Sequence, residues 1–304
     1  MTLINLNQAV LNALNFFAKN PPVKLNLPNW QLPIVIGSGN AYNAGLILFA
    51  DRPAILANES NLPEIISNYE ALIEKKIIDT AVIISASGGK DSVWEIELAK
   101  KLKLKTWLLT CNQESAAAKI ADKSFGYRRL SEPYTYNTST YLGMILSKTL
   151  ESPKTILAAI KKMKAPKDLK SYSAYAFVLP DEYAAVAEMI NIKSRELFGP
   201  HLSLIACTAG QARHAKFVQP WNKELVIALG TDIKYFGEAN HRWQVKLPVS
   251  ANAGYLLSLS YYIVGLIQTA KPAYFKKQIK DFCSDYGPKA YGKKERFDLI
   301  VPGN

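Results

Sequence analysis

The sequence predicts an α/β protein of two doubly wound, parallel-sheet lobes of the flavodoxin-like kind, and three observations carry that expectation. Apolar runs of strand length alternate with longer amphipathic stretches from residue 33 to residue 150, and the alternation resumes after a proline- and lysine-rich stretch. The chain has 304 residues, 49% of them hydrophobic and 20% charged, which is enough for two globular cores. Taken in order, MTLINLNQAVLNALNFFAKN has an apolar period near three to four and no basic leading segment, so it reads as an amphipathic helix and not as a signal peptide. PIVIG, PAILA, TAVIIS and KTWLLT follow as strands, each trailed by a helical pattern: NAYNAGLILFA, LPEIISNYEALIEKK, VWEIELAKKLK and SAAAKIAD. NTSTYLGMILSKTL and TILAAIKKM add two helices, and MKAPKDLKS has the composition of a linker. The predicted lobes are therefore 1–150, with the N-terminal helix, and 151–304, with the C-terminal helices. In the second, AYAFVLP, HLSLIAC, ELVIALG and WQVKLP are strands and DEYAAVAEMINIKSRELF is a helix; the two halves share a pattern but no obvious sequence repeat. AGYLLSLSYYIVGLIQTA, from Ala253, approaches the length of a membrane span, but Ser258, Ser260, Gln268 and paired tyrosines mark it as a buried helix.

Lys and Arg outnumber Asp and Glu by 37 to 25, which concentrates anions around the molecule. The basic residues are scattered and lack the interleaved aromatics of a nucleic-acid platform, so a phosphorylated metabolite is the expected partner, with no nucleic acid and no membrane. Cys111, Cys207 and Cys283 are odd in number and widely spaced, as reduced thiols of a cytoplasmic protein would be, and no Cys/His spacing suggests a metal. No metal or organic cofactor is expected.

In open α/β sheets, ligands bind beyond the carboxyl ends of the strands, where loop amides and helix N-termini face outward. Two loops of the first half have that position. GSGNAYNAG, from Gly37 to Gly45, has glycines that permit close backbone approach, with Gly39 and Asn40 as candidate sugar contacts. SASGGKDS offers the hydroxyls of Ser85, Ser87 and Ser92, the amides of Gly88 and Gly89, and the cation of Lys90, a set suited to a phosphate. A tight turn with a serine cap would account for two or three of these residues, not for all six.

The stretch resembles two families. SGGKDS is similar to the nucleotide loop of the PP-loop ATP pyrophosphatases, whereas S-x-S-G, two residues earlier, resembles the phosphate loop of the sugar isomerase (SIS) domain. The second resemblance extends further: GSGNAYNAG resembles that family's first strand-turn-helix, and KTWLLTCNQESAAAKIAD its next strand, Thr-containing loop and short helix, in the family's order. Where SIS proteins usually carry Thr, this chain has Lys90; either Lys90 meets the phosphate as a point charge or Ser92 takes over the hydroxyl role. Further on, K-S-R-E, Lys193 to Glu196, and TAGQARHAKF, with Gly210 and His214, resemble the K-x-x-E and Gly-x-x-x-His elements of the glucosamine-6-phosphate synthase isomerase domain and of phosphoglucose/phosphomannose isomerases.

The resemblance implies two SIS-type lobes and an aldose-ketose isomerase of the phosphoglucose/phosphomannose type. In that chemistry a carboxylate moves a proton between adjacent carbons through an enediolate, and an imidazole shuttles a proton to the ring oxygen. Glu196 is the implied base, His214 the implied ring-opening group, and Lys193 stabilises the enediolate or holds Glu196 ionised; Glu188 is the alternative base, and His201 and His241 are weaker candidates. A homodimer is implied, in which the histidine can come from the neighbouring subunit. The alternatives are an amino-sugar phosphate isomerase or deglycase, a non-catalytic sugar-phosphate sensor that keeps the loop without needing Glu196 or His214, and the ATP pyrophosphatase. Without the family frame, Lys193 and Glu196 would be an ordinary exposed helix pair worth about 0.2–0.5 kcal/mol.

Overall fold

The computed structural model describes residues 3–304. The chain divides into two compact units. One comprises Pro22–Ser131, Ser139–Leu150 and the terminal Gly303–Asn304; the other comprises the chain up to Pro21, Glu132–Thr138 and Glu151–Pro302. This corrects the simple split at residue 150. The opening helix α1 (Leu6–Lys19) belongs to the C-terminal unit, because its buried face, including Leu6, Val10, Leu14 and Phe17, packs on helices of that unit. The Met163–Ser171 stretch, expected as a linker between lobes, is likewise a loop inside that unit.

The N-terminal unit alternates β1 (Ile34–Gly37), α2 (Asn40–Leu48), β2 (Ile55–Ala57), α3 (Leu62–Asn68), α4 (Glu70–Glu74), β3 (Thr80–Ile84), α5 (Ser92–Lys101), β4 (Lys105–Thr110), α6 (Ala116–Ile120) and β5 (Lys123–Gly126). The five strands form one sheet in the order β2-β1-β3-β4-β5, with every pairing parallel. Strands β1 and β3 are buried throughout, as expected for central strands covered on both faces. Ile36, Ala57, Ile83, Ile96 and Leu108 share one core cluster on one face of the sheet. The order reverses between β1 and β3, so the loops after them, those of Gly39 and Ser87, flank a topological switch point.

The C-terminal unit contains β6 (Glu132–Pro133), α8 (Pro153–Lys162), β7 (Ala174–Leu179), α9 (Ala184–Phe198), β8 (Ser203–Thr208), α10 (Ala209–Ala212), β9 (Glu224–Leu229), β10 (Arg242–Val245), α11 (Ala253–Ala270), α12 (Tyr274–Asp281), α13 (Gly287–Ala290) and β11 (Ile300–Val301), while α7 (Thr138–Thr149) falls almost wholly in the N-terminal unit. Its main sheet has the order β10-β9-β7-β8, again all parallel. Renumbered within the unit, this is 2-1-3-4, the same order as the first four strands of the other sheet. The two halves therefore repeat a topology that their sequences do not show. A short antiparallel pair, β6 with β11, joins distant parts of the same unit.

Helix α11 is buried on nearly all sides, with Ser258 and Ser260 hydroxyls donating to the carbonyls of Gly254 and Leu257. Among the described residues no helix is long and apolar enough to cross a membrane. The N-terminus of α11 is capped by a carboxylate: Glu151 accepts from the backbone N–H of Asn252 at 2.7 Å, Gly254 at 2.8 Å and Tyr255 at 3.0 Å, matching negative charge to the positive end of the helix dipole. The three cysteines are buried and none is in a disulfide.

Candidate active site

The Ser85–Ser92 stretch leaves the end of β3 and enters α5, pinned to the end of β4 by the Ser85 N–H on the Leu109 carbonyl and the Cys111 N–H on that of Ala86. Gly88 has φ +61°, in the left-handed region, and a Cβ there would lie 1.9 Å from the Ser115 hydroxyl oxygen. Glycine is required for two independent reasons, backbone conformation and space. The Gly88 N–H donates to Ser85 Oγ at 3.2 Å and the Gly89 N–H to Ser87 Oγ at 3.3 Å. The glycine amides, expected to be open to a ligand, are thus spent on the seryl oxygens, and what Ser85 and Ser87 retain is their hydroxyl protons. Lys90 is exposed with φ +56°, so the loop holds its cation outward at a strained backbone position. Ser92 departs from the expectation of a ligand contact. It is 2% exposed and donates to the Gly89 carbonyl at 2.8 Å, so it closes the loop from inside.

In the neighbouring loop Gly39 has φ +55° and caps α2, whose first residue is Asn40. Asn40 is 7% exposed and its Oδ1 has no hydrogen-bond partner, which is costly for a buried amide oxygen. A cleft of about 840 Å³ in this unit opens at the amino-terminal end of the sheet among Ile66, Ile73, Lys76, Lys103 and Lys105, the end opposite to both loops. The Ser85 and Ser87 hydroxyls lie at the other end of the sheet, in the loop after β3.

Replacing Gly88 with Ala should destabilise the N-terminal unit by about 1–3 kcal/mol, the range for backbone strain and overpacking. Thermal unfolding of the variant checks this; unchanged stability would mean that Ser115 and the loop yield freely.

In the C-terminal unit Lys193 is fully buried, and its Nζ reaches Glu196 Oε2 at 2.5 Å, the Thr135 carbonyl at 2.6 Å and the Tyr136 carbonyl at 3.0 Å. Three N–H bonds meet three acceptors, and the ammonium lies 5.4 Å from the centre of the Tyr261 ring. The carbonyls it holds belong to a turn in which Thr135 has φ +71° and Asn137 φ +46°. Lys193 therefore fixes both a strained turn and one oxygen of Glu196. Glu196 is half-buried; burial pushes its carboxyl up, and the Lys193 ammonium pulls part of that back.

The Gly-x-x-x-His element forms a capping box at the start of α10. Thr208 Oγ accepts from the Gln211 N–H, the Gln211 side chain accepts from the Thr208 N–H, and the Gly210 N–H donates to Asp181 at 2.6 Å. A Cβ on Gly210 would meet that carboxylate at 2.8 Å, so glycine is what lets the turn close on it. His214 follows in an exposed turn, and among the described residues no hydrogen bond or ion pair links it to Glu196. His201 stacks on Tyr274 with ring centres 4.5 Å apart and His241 Nδ1 meets the Tyr172 hydroxyl at 3.1 Å, both packing roles. Glu188 is exposed on another face of α9, where it accepts from Asn191. Among the described residues no group of His, Cys, Asp or Glu side chains is arranged to hold a metal.

One buried ionisable group stands apart from the sequence-predicted site residues. Glu95, in the first turn of α5, is 2% exposed, its Oε1 has no partner, and burial, with Asp91 and Glu59 adding like charge, pushes its pKa up to about 7.

The fold is that of sugar isomerase domains. A glucosamine-6-phosphate deaminase from Thermotoga maritima superposes with a TM-score of 0.58 at 15% identity, covering 90% of this chain and 94% of the other. Tagatose-6-phosphate ketose/aldose isomerase from Escherichia coli gives 0.55 at 16% identity over 88% and 89%, and the C-terminal domain of glucosamine-fructose-6-phosphate aminotransferase from Francisella tularensis gives 0.54 at 14% over 86% and 93%. No model of a known protein family matches the sequence, and no curated protein matches it. At these identities the likeness is one of fold.

Proposed function

We propose that the protein is an aldose-ketose isomerase acting on a phosphorylated sugar, of the phosphoglucose/phosphomannose type, working as a cytoplasmic homodimer without metal or organic cofactor. The observation that carries the proposal is the Lys193–Glu196 pair: a carboxylate with one oxygen fixed by a buried ammonium and the other left to act, its pKa pushed upward by burial. Ionised Glu196 takes the proton from the carbon beside the carbonyl, which leaves an enediolate, and returns it to the adjacent carbon, while the hydroxyl proton passes from one enediolate oxygen to the other. His214 moves the proton to and from the ring oxygen. The hydroxyl protons of Ser85 and Ser87, the cation of Lys90 and the turn at Gly88 serve the phosphate, while Gly39 and Asn40 serve the sugar; Asn40 Oδ1, buried and unpartnered, accepts from a ligand hydroxyl. Ser92 supports the loop and makes no ligand contact.

The test is exchange of the C2 proton of aldose phosphates with deuterated water, followed by NMR across hexose and pentose phosphates. Exchange with at least one is the expected result. Binding of sugar phosphates without exchange in any would reduce the protein to a sensor, and binding of magnesium-ATP alone would end the isomerase proposal.

A further inference from the structure

A second cleft lies in the C-terminal unit, between α9 and β8, with a volume of about 650 Å³, within the range of small-molecule sites. Strand β8 is an edge strand of the sheet, and Ile205 on it is 40% exposed. An open edge is a template for another strand. Here the edge is closed beside the cleft: Asn191 Oδ1 accepts from the Ala206 N–H at 2.7 Å and Asn191 Nδ2 donates to the Ala206 carbonyl at 3.0 Å. A peptide cannot pair there without displacing both bonds, so the cleft suits a compact ligand and not an added strand.

The charges give the ligand its class. Arg195 and Lys216 both line the cleft, and neither side chain has a hydrogen bond or ion pair among the described residues. Cys207 lies on the same cleft as Lys216; burial pushes its thiol up and the Lys216 ammonium pulls against that. A planar guanidinium fork and an ammonium, neither in an ion pair and together outnumbering the one lining carboxylate, Glu188, are suited to a phosphate or carboxylate. Glu188, already accepting from Asn191, faces the same space and suits hydroxyl or amino groups on the ligand body.

We infer that this cleft is a second ligand site, separate from the Ser85–Ser92 loop, for a small anion-bearing metabolite held through its phosphate or carboxylate by Arg195 and Lys216. Its walls adjoin both proposed catalytic groups in sequence: Arg195 precedes Glu196 on α9, and Gln211 and Lys216 bracket the His214 turn. Occupancy would tie the helix of the base to the turn of the histidine, a regulatory consequence that rests on the isomerase proposal. The binding itself does not.

The test is calorimetric titration at low ionic strength with inorganic phosphate and, separately, citrate, into wild type, Ser87→Ala and Arg195→Met/Lys216→Met. At least one probe should bind wild type and keep its affinity in Ser87→Ala, and lose at least about tenfold in the double variant, as the loss of charge-assisted hydrogen bonds requires. Which probe binds separates a phosphorylated from a carboxylated ligand. Arg195→Lys/Lys216→Arg, with both charges kept, should recover binding and guards against a folding defect in the double variant. Binding unchanged in the double variant, or no binding of either probe to Ser87→Ala, overturns the inference and leaves the isomerase proposal standing, because proton exchange at C2 is measured independently.

Discussion

Glu196→Gln should lose about 10²–10⁴-fold in turnover, the cost of removing a general base, while its affinity for sugar phosphate changes little. Gln keeps the size of the side chain and can still present an oxygen to Lys193, so the strained turn at Thr135 stays in place. A pH profile separates this role from a structural one. Burial pushes the Glu196 carboxyl above the ordinary range, so the acidic limb of kcat/KM in wild type should lie higher than an exposed glutamate would put it. Lys193→Met removes the charge that opposes burial, and the limb should move to still higher pH. Undiminished C2 exchange in Glu196→Gln would place the base elsewhere; Glu188, the alternative carboxylate of the sequence, is exposed on another face of α9.

Glu95→Gln should raise the stability of the N-terminal unit at pH 8 and leave it nearly unchanged near pH 4.5. The carboxyl titrates at about 7 in the folded protein against 4.5 for an unperturbed group. The folded state therefore holds its proton over a window in which the unfolded chain has lost it. Stability falls as pH rises from 4.5 to 7 and stays low above that, because the buried carboxylate has no donor at Oε1 and faces Asp91 and Glu59. At roughly 1.4 kcal/mol for each unit, the ceiling on the penalty is about 3 kcal/mol. That corresponds to a melting shift of about 5–10 °C at pH 8. Parallel thermal unfolding of both proteins from pH 4 to pH 9 measures it; curves with the same pH dependence would show that Glu95 ionises freely.

The alternation of short apolar runs and amphipathic stretches made both sheets legible, because a parallel strand covered on both faces must be continuously apolar, as PIVIG and TAVIIS are. The Gly-x-x-x-His and K-x-x-E spacings were legible for a similar reason: each is local, closed within one helix or one turn. What escaped was set by contacts across long separations. Ser92 looks like a third phosphate hydroxyl until the loop folds and turns it inward toward Gly89. Lys193 looks like half of a surface pair, and only the carbonyls of residues 135 and 136, far away in the chain, show why it is buried. Glu95 did leave a local trace, since it shares the buried face of α5 with Ser92, Ile96 and Ala99, a phase at which a carboxylate is out of place. The attachment of α1 to the C-terminal unit left none.

That attachment bears on how the protein is made. The Leu6 N–H donates to Gln268 at 2.8 Å, and Gly265 lies so close under α1 that a Cβ there would fall 1.9 Å from the Asn7 nitrogen. The ribosome therefore delivers α1 long before its seat on α11 exists. Until α11 is made, Val10, Leu14 and Phe17 have only α8 of the two helices that α1 packs against, while the five-stranded sheet already has all its strands. The docking of α1 on α11 should therefore be a late step in the folding of the C-terminal unit, and hydrogen exchange of the α1 amides during refolding measures it.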